Sequence, residues 1–366
     1  MVKVCIVTGA RPNFMKAAPI IRAINKAIEE GKQISYRLIY TGLHDDSTLE
    51  PSIFTDLEIN KPDAFLNADC ENLNELAGKT MFAFEQELTA NPTDVVIVVD
   101  DLTSTMACAI VAKKKGVMLA HLVAGTRSFD IKMPKEINRL VIDGLSDLLF
   151  TAGVGSNRNV SREGAETSQV YMVGNILVDT LRFNRNKLVM PAIFNILGLK
   201  EKEYLVFTLN RHALLSNPEN LKKMLAGFIR EAGNTPIIAP MHEYAGKEIS
   251  KLLPAGCNFH IVPPQTYLGF GYLTTHAKGI ITDSGNVAEE ATFNGVPCIT
   301  LNSYTEHTET VTVGTNVLVG EDSEKLAEAT HNLISGTWKQ GALPERWDGR
   351  TAERIIQILL EYNEDK

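Results

Sequence analysis

The amino-acid sequence predicts an α/β protein built from two doubly wound domains. Short apolar runs alternate with helix-length amphipathic segments from one end of the chain to the other. The runs are nearly continuous in Val, Ile and Leu, which is typical of parallel strands covered by helices on both faces. A chain of 366 residues is also long for a single hydrophobic core. Together these observations favour two parallel sheets, one in each domain.

The apolar runs form two sets, and each set predicts the strands of one sheet. The first set covers residues 2–9, 35–42, 95–101, 117–125, 148–153 and 170–175. The second set covers residues 204–210, 236–242, 259–264, 279–285, 297–303 and 316–320. We therefore expect a first domain over 1–175 and a second over 176–350, with the junction inside 176–200. The final helix, 351–366, is expected to pack back on the first domain.

Composition argues against several classes of function. Hydrophobic residues make up 44% of the chain, charged residues make up 22%, and the formal net charge is −8. A broad nucleic-acid surface would need a basic patch, so we expect no nucleic-acid partner. No apolar stretch reaches the about 18 residues that a membrane span requires, so we expect no membrane association. The start of the chain reads as a strand and not as a signal peptide.

The five cysteines are scattered, and none has the spacing of a zinc site or of a CxxC pair. This pattern is typical of buried thiols in a reducing cytoplasm. We therefore expect a cytoplasmic protein that uses neither a metal ion nor a cofactor.

The first candidate for anion binding is TGARPNFMK, residues 8–16, which follows the first predicted strand. Ligands of doubly wound sheets bind beyond the carboxyl ends of the strands. A glycine turn that opens a helix near Pro12 or Asn13 places backbone N–H groups, Arg11 and Lys16 at that edge. The alternative is an ordinary βα turn with two surface cations.

The second candidate is TDSGNVAEEATFNGVPCIT, residues 282–300, in which Asp283–Ser284–Gly285 ends a strand and Glu290 lies on the following helix. Ser284 and the N–H groups at the helix start can hold phosphate oxygens. The Glu290 carboxylate can accept hydrogen bonds from the two hydroxyls of a ribose. This arrangement predicts a nucleotide-diphosphate-sugar site, and the alternative is that Ser284 only caps the helix.

A less specific signal is PPQTYLGFGYL, residues 263–273. Gln265 and Phe270 could hold a flat base by amide hydrogen bonds and by stacking. Aromatic residues in such segments more often belong to the hydrophobic core.

The segment VVIVVDDLTST, residues 95–105, ends a buried strand with two adjacent acids, Asp100 and Asp101. They either cap the helix that follows or stand at the mouth of a site and do chemistry. Two carboxylates this close are expected to raise the pKa of one of them, which would make a proton donor near neutral pH.

In their order along the chain, these segments resemble the motifs of the UDP-N-acetylglucosamine 2-epimerase family. VTGARPNFMKAAPII is similar to the family's GTRPE-x-IK-x-AP opening, and YTGLHDD is similar to its TGQH turn. Later family motifs resemble PKEINRLVIDGLSDLLFTA, VYMVGNILVDTL, TDSGNVAEEATFNGVPCITL and TEHTETVTVGTNVLVG. The resemblance covers nearly the whole chain. It implies the GT-B fold of two Rossmann-like domains with an interdomain cleft, a UDP-sugar ligand, a homodimer, and a place in polysaccharide biosynthesis.

The resemblance also implies which residues contact the substrate. They are Arg11, Lys16, Asn210, Arg211, His242, Gln265, Phe270, Ser284, Gly285, Asn286, Glu290, His307 and Glu309. Arg11, Lys16 and the helix N-termini are expected to carry the diphosphate charge. His307 stands where the family has Arg, which exchanges a permanent, bidentate cation for a titratable one.

The family's catalytic motifs are only partly kept. HGDTTTT becomes VDDLTST, so Asp101 keeps the family's acid, while Asp100 replaces a glycine and Val99 a histidine. The acid of H-x-EAG-x-R is replaced by Val123. Valine cannot move a proton, so one of the family's acid/base positions is lost.

Two further motifs change in the same way. PEE becomes PKE, so Lys135 stands on the first glutamate while Glu136 remains. The preceding segment is one residue shorter than usual, which could bring Glu136 to the place of the lost glutamate. T-x-HR becomes TLNR, so Asn210 replaces the histidine, and His212 lies two positions later.

The family's reaction resembles elimination of UDP to a 2-acetamidoglucal, followed by re-addition with the opposite configuration at C2. One group must remove the C2 proton, and another must return a proton on the other face. Asp101 is the expected acid/base, with Glu136, Lys135, His212 or Asp100 as its partner. The alternatives are a glycosyltransferase or hydrolase that acts on the same UDP-sugar, and a non-catalytic nucleotide-sugar-binding homologue.

Overall fold

The computed structural model describes residues 1–49 and 52–364, without the side chains of residues 168, 212, 213, 363 and 364. Contacts among these residues divide the chain into two compact units. The first unit comprises the described residues from Met1 to Phe183 and from Glu345 onwards, and the second runs from Asn184 to Pro344. The boundary between Phe183 and Asn184 falls inside the segment 176–200.

The described part of the first unit contains a parallel sheet of seven strands. They are β1 (Val2–Thr8), β2 (Ile34–Tyr40), β3 (Ala64–Phe65), β4 (Val95–Val99), β5 (Met118–Ala124), β6 (Leu148–Thr151) and β7 (Val170–Met172). Their order across the sheet is β3-β2-β1-β4-β5-β6-β7. The sequence predicts all of them except β3, which is only two residues long and so leaves no apolar run.

The described part of the second unit contains a parallel sheet of six strands, and each overlaps a predicted run. They are β8 (Leu205–Phe207), β9 (Ile237–Pro240), β10 (Phe259–Val262), β11 (Gly279–Thr282), β12 (Cys298–Thr300) and β13 (Asn316–Leu318). Their order is β10-β9-β8-β11-β12-β13. The prediction of two doubly wound α/β domains is therefore confirmed.

Helices connect the strands in both units. In the first unit they are α1 (Arg11–Glu29), α2 (Ser52–Leu57), α3 (Leu73–Ala90), α4 (Thr103–Lys114), α5 (Pro134–Leu145), α6 (Val154–Arg162) and α7 (Ile176–Asn184), which ends at the boundary. In the second they are α8 (Ala192–Ile196), α9 (His212–Leu215), α10 (Pro218–Ala232), α11 (Glu243–Ser250), α12 (Tyr267–Thr275), α13 (Gly285–Asn294), α14 (Thr308–Thr312) and α15 (Ser323–Ser335). The last helix, α16 (Thr351–Glu364), belongs to the first unit. Short 3₁₀ helices occupy Thr167–Gln169 and Arg185–Lys187. Over the described ranges, no helix has the length and apolar character needed to cross a membrane.

The second sheet shows why its strands read as unbroken apolar runs. Leu205 and Phe207 belong to one hydrophobic cluster, whereas Tyr204 and Val206 belong to another. Successive side chains of a strand point to opposite faces, so the two clusters lie on opposite sides of the sheet. Both faces are buried under helices, and no polar residue is needed at alternate positions.

Each sheet has a point where the chain reverses its direction of growth. β1 is flanked by β2 and β4, and β8 is flanked by β9 and β11. The loops that follow β1 and β4 therefore leave the sheet on opposite sides, and the loops after β8 and β11 do the same. Crevices at such switch points are where open α/β sheets bind their ligands.

The start of the last helix is capped by a carboxylate of α7. α16 packs on α1, and Asp179 of α7 accepts hydrogen bonds from the N–H groups of Thr351 (3.2 Å) and Ala352 (2.8 Å). The first N–H groups of a helix have no intrahelical acceptor, so Asp179 supplies one. Burial raises the pKa of Asp179 above its ordinary value, although the two N–H groups oppose that shift.

We expect Asp179→Ala to lower the free energy of unfolding by about 2 kcal/mol, because two buried N–H groups lose their acceptor. The matched control is Asp322→Ala. Asp322 accepts from the N–H groups of Glu324 and Lys325 at the exposed start of α15, where water can replace it, so the loss of stability should be smaller than for Asp179→Ala. Thermal unfolding followed by circular dichroism compares the two. Equal melting temperatures for the two variants would show that Asp179 does not anchor α16.

Candidate active site

The turn between β1 and α1 is closed by the side chain of Asn13. Its Oδ1 accepts hydrogen bonds from the N–H groups of Gly9 (2.8 Å) and Ala10 (3.1 Å). A Cβ added to Gly9 would lie 2.7 Å from Ser104 Oγ at the start of α4, so the close approach requires glycine. Arg11 is the first residue of α1 and is partly exposed. The helix therefore begins slightly earlier than the sequence predicts.

Asp100 lies directly after β4 and binds two side chains of α1. Its Oδ1 accepts a hydrogen bond from Lys16 Nζ at 2.6 Å, and its Oδ2 accepts one from Asn13 Nδ2 at 2.7 Å. Burial favours a higher pKa for Asp100, but the charge of Lys16 and the two hydrogen bonds outweigh it and lower the pKa below its ordinary value. The expectation of a raised pKa is therefore wrong for Asp100. It considered only the neighbouring acid and not the Lys16 ammonium, which lies 2.6 Å away.

Asp101 faces a different helix. Its Oδ2 accepts from Arg139 of α5, at 2.7 Å from Nε and 2.6 Å from the terminal nitrogen, and Lys135 Nζ lies 3.8 Å from Oδ1. The Asp101 side chain is 14% exposed, which is close to the 16% of Asp100. Neither acid caps α4, because Leu102 occupies the N-cap position and no side chain accepts there. The capping interpretation of the acid pair is wrong.

Glu136 holds the loop that precedes α5. Its Oε2 accepts hydrogen bonds from Ser128 N (2.8 Å), Ser128 Oγ (2.9 Å) and Arg139 (3.1 Å), and its Oε1 accepts one from Phe129 N (3.0 Å). Burial favours a higher pKa for Glu136, but these donors outweigh it and lower the pKa. Both oxygens are thus engaged by groups that favour the ionised form.

A buried charge cluster supports the Asp100 turn from behind. His121 of β5 contacts Asp143 Oδ1 through Nδ1 (2.5 Å) and the Asp100 carbonyl oxygen through Nε2 (2.9 Å). Arg127 lies 2.6 Å from Asp143 Oδ2 and also pairs with Glu163. Burial favours a higher pKa for Asp143, but His121 and Arg127 outweigh it and lower the pKa. The turn is therefore fixed by the backbone as well as by its side chains.

Val123 lies on an irregular part of β5. The pairing of β5 with β6 shifts between Leu122 and Ala124, and Val123 has a φ of 72°. A positive φ is a genuine outlier for a β-branched residue, since Cβ crowds the backbone there. The backbone is strained at the position where the resemblance places the lost acid.

At the switch point of the second sheet, Asp283 joins the loops that follow β8 and β11. Its Oδ2 accepts hydrogen bonds from the N–H groups of Asn210 (2.9 Å) and Arg211 (2.6 Å). The Arg211 guanidinium donates to Asn302 Oδ1 at 2.8 Å, and Asn302 Nδ2 donates to the Asp283 carbonyl at 3.1 Å. Two predicted substrate-binding residues, Asn210 and Arg211, are thereby held at the carboxyl edge of the sheet.

The start of α13 carries three more of the predicted residues. Ser284 is the N-cap, and its Oγ accepts from Val287 N at 3.5 Å. Gly285 and the partly exposed Asn286 follow it. His307 packs over this turn, and a Cβ on Gly285 would lie 3.3 Å from the imidazole. The backbone N–H groups of the turn therefore adjoin a titratable side chain.

Glu290 is buried on α13 beside a second acid, Glu289. His307 Nδ1 lies 3.1 Å from Glu289 Oε1, so His307 pairs with Glu289 and not with Glu290. Burial, with a smaller contribution from the charge of Glu289, raises the pKa of Glu290 to about 8. Glu290 is therefore largely protonated at neutral pH in the ligand-free protein.

The remaining predicted residues are spread over the second unit. Exposed His242 precedes α11, and Gln265 Nε2 donates to the Pro263 carbonyl at 2.7 Å. Phe270 of α12 is partly buried and packs against the core. Glu309 is partly exposed on α14. The His212 backbone begins α9, and its side chain lies outside the described residues.

Comparison with known proteins identifies the family of the chain. The family model described as UDP-N-acetylglucosamine 2-epimerase matches residues 26–360. The chain belongs to the UDP-N-acetylglucosamine 2-epimerase family.

Members of this family from other organisms match over almost the full length. A UDP-N-acetylglucosamine 2-epimerase from Methanocaldococcus jannaschii is 35% identical over 370 residues, with 98% of each chain covered. A UDP-2,3-diacetamido-2,3-dideoxy-D-glucuronate 2-epimerase from Pseudomonas aeruginosa is 31% identical and covers 98% of this chain and 99% of its own. The crystal structure of the M. jannaschii UDP-GlcNAc 2-epimerase in complex with UDP-GlcNAc and UDP superposes with a TM-score of 0.84 at 34% identity, covering 98% of this chain and all of that chain.

The epimerase-family site contains residues that sequence reasoning did not select. Asn13, His121 and Arg139 each contact one of the two acids after β4. All three lie inside segments that resemble family motifs, but the motifs alone do not show which side chain each would contact. Across the described ranges, no group of three or more His, Cys, Asp or Glu side chains is placed to hold a metal ion.

We expect the stability of the second unit to depend on the protonation of Glu290. Its folded-state pKa of about 8 lies above its ordinary value of 4.5, so its stabilising contribution is complete below about pH 4.5 and is lost as pH rises through about 8. Glu290→Gln keeps the shape and cannot ionise. The melting temperature of Glu290→Gln minus that of the wild type should therefore increase by at least about 3 °C as pH rises from about 5 to 9.

The control is Glu324→Gln, since Glu324 is exposed in the first turn of α15. Differential scanning fluorimetry over this pH range should show no growing difference for the control. A constant difference for Glu290→Gln would contradict the shifted protonation of Glu290.

Proposed function

We propose that this epimerase-family chain inverts the configuration at C2 of a UDP-linked 2-acetamido sugar, with UDP-GlcNAc as the first candidate. The observation that carries the proposal is the placement of Asp101. Its carboxylate follows β4 at the switch point of the first sheet, is fixed by Arg139 at 2.6 and 2.7 Å, and is 14% exposed. A carboxylate held in one position at the ligand-binding edge of the sheet meets the geometric requirement for a proton-transferring group.

The proposed reaction has two steps. Asp101 removes the proton from C2 while the C1–O bond breaks, so UDP leaves with the bonding electrons and a neutral 2-acetamidoglucal forms. UDP then adds back to C1 while a second group delivers a proton to the opposite face of C2. Asp101 finally gives its proton to solvent, and the second group takes one from solvent, which restores the enzyme.

Lys135 is our proposed second proton carrier. It replaces a glutamate of the family motif in the first turn of α5, and its Nζ lies 3.8 Å from Asp101 Oδ1. The Lys135 side chain is 58% exposed and has a flexible four-carbon stem, so it can move relative to the fixed Asp101. Glu136 is the less suitable partner because both of its oxygens accept hydrogen bonds from the loop and from Arg139.

Nucleotide binding is proposed for the second-unit cluster. Ser284 and the first N–H groups of α13 offer donors for phosphate oxygens, and Arg211 offers a cation at the same switch point. Glu290 is the proposed partner of the ribose hydroxyls. The support is the joint placement of these residues after β8 and β11, where the loops are tied together through Asp283.

A hydrolase that releases UDP is the second candidate function, and Val123 favours it. Valine cannot return a proton to C2, whereas hydrolysis needs one base and a stabilised leaving group. Proton NMR of UDP-GlcNAc with the enzyme in D₂O separates the two reactions. Epimerisation introduces deuterium at C2 and produces UDP-ManNAc, whereas hydrolysis releases UDP and free sugar. UDP-2,3-diacetamido-2,3-dideoxy-glucuronate is the second substrate to test.

Asp101→Asn should reduce turnover by at least about 100-fold, because the amide cannot accept the C2 proton. The Kd for UDP, measured by calorimetry, should change less than about twofold, since Asp101 pairs with Arg139 and is not one of the proposed nucleotide contacts. Asp130→Asn is the matched control, an exposed acid of the loop before α5, and it should turn over normally. Retained turnover in Asp101→Asn would remove Asp101 from the mechanism.

We also propose a cytoplasmic homodimer that serves polysaccharide biosynthesis. Family membership supports the assembly and the setting, and the five free cysteines support a reducing compartment. Light scattering coupled to size-exclusion chromatography tests the assembly, and a monomer at micromolar concentration would contradict it.

A further inference from the structure

We propose that Asp100 is a positioning residue that holds the ammonium of Lys16 as a fixed, charge-compensated hydrogen-bond donor beside the Asp101 turn. By resemblance, this position is a glycine in the family motif. The kinetic consequences rest on the proposed function, whereas the contact itself does not.

The contact joins the two loops that form the switch point of the first sheet. Lys16 Nζ lies 2.6 Å from Asp100 Oδ1, and Asn13 Nδ2 donates to Oδ2 at 2.7 Å. Asn13 also accepts from the Gly9 and Ala10 N–H groups. One carboxylate therefore fixes both the cation of α1 and the residue that closes the β1–α1 turn.

The backbone of Asp100 suits this role. Its φ of 59° lies in the left-handed region, where Asp and Asn are enriched among residues other than glycine. The Asp100 carbonyl oxygen contacts His121 Nε2 at 2.9 Å, and the Asp100 N–H donates to the Leu122 carbonyl at 3.3 Å. The turn is held on the β5 side by its backbone, so its side chain extends to α1.

The pair changes the charge that a substrate meets. The Lys16 and Asp100 side chains are 9% and 16% exposed, so little water screens their attraction. A diphosphate that approaches this edge meets a compensated pair in place of a net positive charge. Removing the carboxylate should therefore strengthen anion attraction and, at the same time, remove a contact that fixes the ammonium.

The first test is the kinetics of Asp100→Asn and Asp100→Gly. Both residues tolerate the left-handed backbone, so both variants should fold. For UDP-GlcNAc we expect kcat to fall about tenfold and KM to fall about threefold in each variant. A purely structural defect would not move the two constants in this way. Unchanged constants, or a rise in KM, would overturn the proposal.

The second test needs no turnover and so separates this proposal from the proposed function. Brief acylation of the native protein with acetic anhydride, followed by peptide mass spectrometry, measures the reactivity of Lys16. We expect Lys16 to react at least about fivefold faster in Asp100→Asn than in the wild type. Asp101→Asn is the control and should leave it unchanged, because Asp101 pairs with Arg139.

The outcomes are distinct. A wild-type enzyme without turnover on either UDP-sugar, together with faster Lys16 acylation in Asp100→Asn, contradicts the proposed function and supports the Asp100 contact. Equal acylation of Lys16 in the wild type and Asp100→Asn overturns the contact, whatever the kinetics show.

Discussion

The first-domain site depends on the separate neutralisation of two adjacent carboxylates. Asp100 and Asp101 follow the same buried strand, and two unpaired negative charges at neighbouring positions would repel each other. Lys16 of α1 compensates Asp100, and Arg139 of α5 compensates Asp101. These two helices follow different strands, so the compensation exists only because β1, β4 and β5 are neighbours in the sheet. The sheet order thus determines the electrostatics of the site.

Compensation by a cation also explains why buried acids in this protein differ. Asp100 and Glu290 are both removed from water, which favours the neutral form of each. The pKa of Asp100 is nevertheless lowered, because Lys16 and Asn13 stabilise the charged form. The pKa of Glu290 is raised to about 8, because burial dominates there and the charge of the neighbouring Glu289 adds to it. Burial alone therefore predicts neither the direction of the shift nor the chemical role.

Much of the fold is visible in the sequence because the strands are buried on both faces and leave unbroken apolar runs. The predicted run 279–285 extends past the end of β11 at Thr282, since the residues after the strand form the turn that opens α13. The sites are visible as motifs at strand ends. Their pairings are not, because Asn13 and Asp100 lie 87 positions apart in sequence and meet only through the strand order. For the same reason, the sign of the Asp100 pKa shift could not be predicted.

The lost acid and the added acid lie at neighbouring positions in the first sheet but have different surroundings. By resemblance, Val123 of β5 replaces an acid and Asp100 replaces a glycine. The two positions come directly after Leu122 and Val99, the last residues that pair between β5 and β4. Both have positive φ, and the Asp100 N–H bonds to Leu122, the residue before Val123. β5 and β1 lie on opposite sides of β4, and the helix after β1 carries Lys16, which Asp100 contacts directly. The new acid therefore does not reproduce the lost one: Asp100 constrains the cation of α1, whereas Asp101 pairs with Arg139 of α5.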